Sequence, residues 1–348
     1  MIDIKKHIIN QHQPLRSALI MLNELGEDLT LFVVDNDGRL IGTLTDGDTR
    51  RGLLNGLGVS DSVVQFMEET YRFIYNHNYK IKEITDAKEK GVEILPVVDE
   101  YKRIIHLINF SKYKSYLPIS AVIMAGGEGI RLRPLTDNLP KPLLEIGGKP
   151  IIEYGIDWLM KYGINDFKIS INYLGEKIVN HFGDGSAKNI SVLYINEKDK
   201  LGTIGSVSLV DNYKHDFILV MNSDLLTSFD LEEFFIQHES KNADMSVACI
   251  PYNVSIPYAI MDTDHENVLS FKEKPTITYH SNAGIYLIRK EILGRIPKNQ
   301  FYNATDLIDN LINDAKKVIY YPILGYWLDI GKMDDYKKAQ EDIKFIKF

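Results

Sequence analysis

Residues 121–150 read AVIMAGGEGIRLRPLTDNLPKPLLEIGGKP. A short apolar run leads into Gly126, Gly127 and Gly129, then Arg131 and Arg133, then two Lys-Pro pairs at 141–142 and 149–150. A glycine loop at the end of a strand exposes backbone N–H groups and lets phosphate oxygens approach closely. The three glycines supply such a loop, and Arg131 and Lys141 supply its charge. The Walker pattern is absent, because no Gly-Lys-Ser/Thr stands at the required spacing. The dinucleotide fingerprint also fails, since Pro134 interrupts any helix after the glycines. Glycine spacing alone would fit an ordinary turn, so the rest of the chain has to decide.

Around this stretch the pattern is regular. After Pro118, strand-like runs (ISAVIMA, FKISIN, SVLYIN, FILVMN) alternate with helix-like ones (PIIEYGIDWLMKYG, GEKIVNHF). In the first of these helices Ile152, Ile156, Leu159 and Met160 share one face at helical spacing. Such alternation predicts parallel strands covered by helices on both faces. From Met245 the runs MSVACIPY, YAIMDTD, VLSFKEK and SNAGIYLIRK are strand-rich. The expected core is therefore α/β and Rossmann-like, with an added mixed-sheet region where a second substrate can lie.

Before Pro118 the chain repeats itself. LFVVDNDGRLIGTLTDGDTRRGLL (31–54) has a counterpart in ILPVVDEYKRIIHLINFSKY (94–113). Each is an apolar run, an acidic turn and a second apolar run, and each comes after a helix-like segment. The expected division is one domain over 1–117 and another over 118–348.

Composition excludes several classes. The 348 residues carry a formal net charge of −8, which argues against broad nucleic-acid binding. No apolar run is long enough to span a bilayer, and MIDIKKHIINQHQPL lacks the apolar core and cleavage site of a secretory signal. The single cysteine, Cys249, cannot form an internal disulfide, so a cytoplasmic protein is expected.

Taken whole, GGEGIRLRPLTDNLPKPLLEIGGKP resembles the signature of the sugar-1-phosphate nucleotidylyltransferases, with Ile130 where relatives usually carry Thr. The other parts of that family's pattern come in order. KLGTIGSV (200–207) looks like the segment that closes over the nucleobase, with Gly202 and Thr203 at its key positions. VMNSDLL places Asp224 at the end of an apolar strand as a first metal-binding aspartate, and YWLDIGK places Asp329 as the second. FKEKP gives Glu273 to a sugar hydroxyl and Lys274 to the sugar phosphate. SNAGIY gives Asn282 and Gly284 to the sugar pocket. In isolation Asp224 would read as a turn residue or helix cap, and Lys274 as a solvated lysine. Relatives often have Gly where this chain has Ala259.

The resemblance implies attack by a sugar-1-phosphate oxygen on the α-phosphorus of a nucleoside triphosphate, with release of pyrophosphate. A phosphate monoester has a second pKa of about 6, so no general base is required. It implies Mg²⁺ on Asp224 and Asp329, with Arg131 and Lys141 neutralising phosphate charge. The first 117 residues resemble a tandem cystathionine-β-synthase (CBS) domain pair. Thr45 and Asp48 are similar to that family's T-x-x-D pattern, which implies an adenine or guanine nucleotide effector, while His106, Asn109 and Lys112 fall at the corresponding places of the second copy. The fusion looks like the guanylyltransferases that make GDP-glucosamine from GTP and glucosamine 1-phosphate for bacterial legionaminic acid synthesis. Mannose- or heptose-1-phosphate guanylyl transfer, and thymidylyl or uridylyl transfer to glucose 1-phosphate, are alternatives within the class. An inactive nucleotide-sensing scaffold is the alternative outside it. CBS pairs associate face to face, so a homodimer is expected.

Overall fold

The computed structural model describes residues 3–26, 28–76 and 79–346. The chain forms two compact units, Met1–Tyr116 and Leu117–Phe348. No helix among the described residues is long and apolar enough to cross a membrane.

The first unit consists of two similar halves. Strand β1 (Ile8–Asn10), helix α1 (Leu15–Leu25), the hairpin β2 (Thr30–Val34) and β3 (Leu40–Thr45), and helix α2 (Asp46–Leu54) form the first. Strand β4 (Ile74–Tyr75), helix α3 (Ile81–Glu89) and the hairpin β5 (Ile94–Val98) and β6 (Ile104–Asn109) repeat that order without the closing helix. The pairing is also repeated: β1 is parallel to β2 and β4 to β5, and both hairpins are antiparallel, with register shifts at Val33/Val34 and Val97/Val98.

Both hairpin turns are held by an aspartate that accepts backbone hydrogen bonds, Asp35 from Arg39 (2.9 Å) and Asp99 from Arg103 (2.8 Å). The two turns meet, with Arg39 bridged to Arg103 and the Leu40 N–H donating to the Lys102 carbonyl at 2.9 Å. Helix α1 forms because Leu15, Ala18 and Leu22 fall on one face, which packs on Leu31, Val33 and Leu44.

The second unit is built on a seven-stranded mixed sheet. It begins with β7 (Ile119–Met124), which leads into the glycine loop, and a short pair, β8 (Glu145–Ile146) and β9 (Lys149–Pro150). Then come α4 (Ile151–Met160), β10 (Asp166–Ile171), α5 (Gly175–Phe182), β11 (Ser191–Asn196), β12 (Phe217–Asn222), β13 (Leu225–Thr227) and α6 (Leu231–Ser240). The strand-rich part is β14 (Met245–Ser255), β15 (Ile260–Asp264), β16 (Asn267–Lys272) and β17 (Thr276–Arg289). The chain closes with α7 (Ala304–Asn313), β18 (Val318–Pro322), β19 (Trp327–Asp329) and α8 (Met333–Asp342).

The spatial order is β11-β10-β7-β12-β17-β14-β18. Strands β11, β10, β7 and β12 are mutually parallel, and β17 is antiparallel to both its neighbours. The parallel strands and their helices, and the mixed extension after Met245, agree with the sequence reading. From β7 the chain runs outward through β10 to β11 and then returns to β12 on the other side of β7. The carboxyl ends of β7 and β12 therefore flank the topological switch point, where open α/β sheets bind their ligands.

Strands β14 and β17 outrun the sheet. Their last five pairs, Pro251 with His280 through Ser255 with Thr276, form an exposed ribbon that carries the separate β15–β16 hairpin.

Candidate active site

The glycine loop continues directly from β7. Gly129 has φ +62°, and a Cβ there would lie 3.0 Å from the Lys141 Cβ and the Thr136 Cγ2, so a side chain would force the loop off its neighbours. The Thr136 hydroxyl donates to the Gly129 carbonyl at 2.9 Å, as does the Leu132 N–H. This fold-back sets Lys141 beneath the loop, 9% exposed, where its ammonium pairs with Oδ2 of Asp224. Asp224 belongs to the turn between β12 and β13 and caps no helix. Its place is set by the pairing of β13 with β19, in which Leu225 faces Asp329, and by the Ile330 N–H, which donates to the Asp224 carbonyl at 3.1 Å. Arg131 completes the group: its guanidinium lies 3.3–3.5 Å from where a Cβ on Gly331 would be, so that glycine leaves room for it.

Burial and the Asp224 charge push the Asp329 carboxyl above its usual range, against the pull of Lys141 and Arg131. Oδ1 of Asp224 and Oδ1 of Asp329 are buried without a hydrogen-bond partner. Two adjacent carboxylates, each with an unused buried oxygen, fit a hard divalent cation. The described residues hold no group of three or more His, Cys, Asp or Glu side chains arranged for a metal. Such an ion would take its remaining ligands from substrate phosphate and water, as Mg²⁺ does.

These residues open onto a cavity of about 680 Å³, large enough for a nucleotide. Gly126, Gly127, Gly129, Arg131, Lys141 and Asp224 line one side, and Gly202 and Thr203 line another. Gly202 has φ +78°, and a Cβ there would meet the Tyr302 carbonyl at 2.6 Å, so the loop after Lys200 lies flat on residues 300–304. It is fastened there by the Gly205 N–H to the Tyr302 carbonyl (3.1 Å) and by the Thr203 hydroxyl oxygen, which accepts from the Ala304 N–H (2.9 Å).

Five of the expected residues do not line this cavity. Asp329 adjoins it through Asp224. Gly284 stands against its wall: a Cβ at Gly284 would be 2.7 Å from Nδ2 of Asn222, which does line it. Asn282 accepts from the Gly284 N–H at 2.9 Å and donates to the Tyr286 hydroxyl at 2.8 Å. Glu273 and Lys274 lie in the turn after β16, exposed, and Lys274 has the uncommon φ of +41°. Trp327 does not line the cavity; it pairs with Thr227 across β13 and β19 and donates its indole N–H to the Ala283 carbonyl at 3.0 Å.

The cavity also exposes residues that the sequence reading did not single out: Glu128, Glu197, Lys200, Asn222, Phe301 and Gly331. Glu197 accepts from the Ser170 hydroxyl (2.5 Å) and the Leu201 N–H (3.1 Å), tying the end of β10 to the loop after Lys200. Glu128, Lys200 and Asn222 lie inside motifs quoted above, where glycines and aspartates carry the pattern. Nothing local marks Phe301.

In the first unit, Thr45 and Asp48 form a capping box at the start of α2. The Asp48 carboxylate accepts from the Thr45 N–H (2.7 Å) and hydroxyl (2.6 Å) and pairs with Arg51. Thr45, Arg50, Thr70, Arg72 and Lys90 line a cleft of about 510 Å³, and Asp48 is not part of its wall.

A mixed sheet with a glycine loop at its switch point and a carboxylate pair beside it has the architecture of the α/β folds that bind ligands at that point. The sequence model of the nucleotidyl transferase family matches residues 120–345, and the chain belongs to that family. The CBS domain model matches residues 4–55.

Among curated relatives, the mannose-1-phosphate guanylyltransferase of Mycobacterium tuberculosis is 30% identical over 65% of this chain and 64% of its own length. The D-glycero-α-D-manno-heptose 1-phosphate guanylyltransferase of Aneurinibacillus thermoaerophilus is 32% identical over 65% of this chain and 99% of its own. Among solved structures, HddC from Yersinia pseudotuberculosis complexed with GMP-PN has a TM-score of 0.50 at 25% identity, covering 65% of this chain and all of that one. The chain spans just under two thirds of the length of relatives such as the mycobacterial one.

Proposed function

We propose that the protein transfers a nucleoside monophosphate from a nucleoside triphosphate to a sugar 1-phosphate, releasing pyrophosphate, with GTP and α-D-glucosamine 1-phosphate as the preferred pair. The observation that carries this reading is the convergence of the glycine loop, Arg131, Lys141, Asp224 and the Gly202–Thr203 loop on one cavity, with Asp329 beside it. Guanylyl transfer is supported by relatives named as guanylyltransferases and by the guanine nucleotide in the HddC structure.

In this reading the triphosphate lies on the N–H groups of residues 126–129, with its base against Gly202 and Thr203. Arg131 balances charge on the departing pyrophosphate. Lys141 stands beside Asp224 and balances charge at the α-phosphate. Asp224 and Asp329 would hold Mg²⁺, which supplies Lewis-acid charge at the reacting phosphate. Lys274 and Glu273 bind the sugar phosphate and a sugar hydroxyl, and the Asn282–Gly284 segment shapes the sugar pocket. The nucleophile is already ionised near neutral pH, so the protein's work is in-line positioning and charge neutralisation. No histidine is needed as a base.

Residues 1–117 act in this reading as a tandem CBS pair that binds an adenine or guanine nucleotide in the cleft lined by Thr45 and assembles the chain as a homodimer. We place the enzyme in the cytoplasm, in a pathway to a bacterial surface glycan such as legionaminic acid.

Pyrophosphate release tests the assignment across GTP, ATP, CTP, UTP and dTTP against glucosamine, mannose, glucose and heptose 1-phosphates with Mg²⁺. GTP with glucosamine 1-phosphate should give the highest kcat/KM. A different leading pair would keep the chemistry and replace the substrates. A second reading, adenylyl or uridylyl transfer, is supported by relatives named as glucose-1-phosphate adenylyl- and uridylyltransferases at 28% identity.

A further inference from the structure

Glu128 occupies an unexpected place. It sits between Gly127 and Gly129 on a loop whose exposed N–H groups suit phosphate, and a carboxylate there opposes the charge the loop would receive. Its Oε1 receives the Lys200 ammonium at 2.6 Å, and its Oε2 is 3.9 Å from the Arg133 guanidinium. Hydrogen bonding from Lys200, its charge and that of Arg133 hold the Glu128 carboxyl below its ordinary range. Lys200 immediately precedes the Leu201-Gly202-Thr203 loop on another side of the cavity, and both members of the pair line that cavity. The ion pair therefore ties the phosphate loop to the base loop across the space a nucleotide would fill.

The other two cavity cations are placed by the carboxylate pair: Lys141 is bound to Asp224, and Arg131 packs against Gly331 next to Asp329. Lys200 is 69% exposed and is held by a partner that carries a single charge. An exposed ion pair of this kind is screened by solvent and holds its members weakly, whereas a polyphosphate offers several charges and many acceptor oxygens to the same ammonium.

We propose that Lys200 is a nucleotide-phosphate ligand kept in reserve by Glu128. When the triphosphate settles on the glycine loop, the Lys200 ammonium leaves Glu128 for a phosphate oxygen, and Arg133 retains the carboxylate. The inference rests on the assignment of this cavity to a nucleoside triphosphate. It gives the two partners opposite signs: Lys200 favours nucleotide binding, and Glu128 competes with the nucleotide for Lys200.

The test uses the full chain and its Lys200→Met, Lys200→Arg, Glu128→Gln and double Lys200→Met/Glu128→Gln variants, each checked by thermal melting. The readouts are KM for GTP, KM for the sugar 1-phosphate, and the dissociation constant of inorganic tripolyphosphate, a probe without a base. Lys200→Met should weaken GTP and tripolyphosphate alike by about tenfold, the value of one charge-assisted hydrogen bond. Lys200→Arg should recover most of that loss. Glu128→Gln should tighten both ligands, and the double variant should resemble Lys200→Met. The sugar 1-phosphate KM should move far less.

If Glu128→Gln weakens both ligands as Lys200→Met does, the pair is a clasp that closes over bound nucleotide, and the exchange is wrong. The proposal is equally overturned if neither variant alters binding, if only GTP responds, or if tripolyphosphate does not bind the unaltered protein. Binding of tripolyphosphate without use of GTP would refute the base assignment alone and leave the tripolyphosphate comparison to decide the role of Lys200.

Discussion

Asp224 and Asp329 stand side by side because β13 and β19 are hydrogen-bonded neighbours, and each aspartate keeps one buried carboxylate oxygen with no partner. Lys141, paired with Asp224, and Arg131 oppose the two charges, yet burial and Asp224 hold Asp329 above its ordinary range. A like-charged pair of this kind costs folding energy and is kept where a cation is to be bound.

Asp224→Asn and Asp329→Asn should each lower kcat by about 10²-fold or more. Without metal, Asp329→Asn should not melt below the unaltered protein, because it removes a repulsion, whereas Asp224→Asn also takes away the partner of the buried Lys141 ammonium and should melt lower. The rise in Tm produced by Mg²⁺ should disappear in both. Activity assays and melting curves with and without chelator check this, and a variant that stays active with its Mg²⁺ response intact would remove that residue from the metal site.

Lys274 is exposed and does not line the cavity at the glycine loop, so its substitution should leave the fold intact. Lys274→Ala is expected to raise KM for the sugar 1-phosphate by about tenfold or more, the loss of one charge-assisted contact, while KM for the nucleotide changes little. Equal effects on both KM values in steady-state kinetics would contradict the separate sugar-phosphate role.

How much of the fold and site was legible in the sequence depends on the range of the interactions involved. The strand FILVMN and the helix GEKIVNHF fall where β12 and α5 lie, because apolar runs and helical spacing are local signals. The repeated hairpins of the first unit were visible for the same reason, down to the acidic turns at Asp35 and Asp99. The place of Asp224 beside Asp329 could be expected only from the family pattern, since the pairing of β13 with β19 joins residues about a hundred positions apart. Glu197 and Phe301 were not legible at all. Their presence in the cavity comes from the Ser170 hydrogen bond and from the docking of the loop after Lys200 on residues 300–304, neither of which leaves a mark at short range. The runs MSVACIPY, YAIMDTD and VLSFKEK fall at β14, β15 and β16, but the exposure of that ribbon and hairpin is a fact of tertiary structure.

The CBS pattern illustrates the same limit. Thr45 and Asp48 match a nucleotide motif, yet the Asp48 carboxylate is buried and already accepts from Thr45 and pairs with Arg51. Asp48→Ala should therefore lower stability, through loss of the N3 half of the Thr45 capping box and of the Arg51 pair, whether or not nucleotide is present. Arg72→Ala, in the wall of the cleft, should leave Tm unchanged and weaken any nucleotide that binds there. Melting curves with and without ATP and GTP separate the two effects.

Two histidines set an acid limit on stability. Burial, with Lys214 nearby, pushes His215 down to about 4, and burial, with Arg289 nearby, pushes His238 down to about 3. An unfolded histidine titrates near 6.5, so below that pH the unfolded chain binds more protons than the folded one. Stability should be full above pH 6.5 and fall as the pH drops toward 4, by up to about 1.4 kcal/mol per unit for each group. Denaturant unfolding at several pH values measures the slope, and His238→Gln should reduce it if the loss arises where the structure puts it.

The central claim is the transfer itself, and the most direct measurement is pyrophosphate release by the purified full chain with Mg²⁺, GTP and glucosamine 1-phosphate, omitting each component in turn. Pyrophosphate should be released in equal amount to the nucleotide sugar formed, with all three components required and the release lost in Asp224→Asn. Folded protein that binds nucleotide but releases no pyrophosphate with any triphosphate and sugar 1-phosphate pair would contradict the claim.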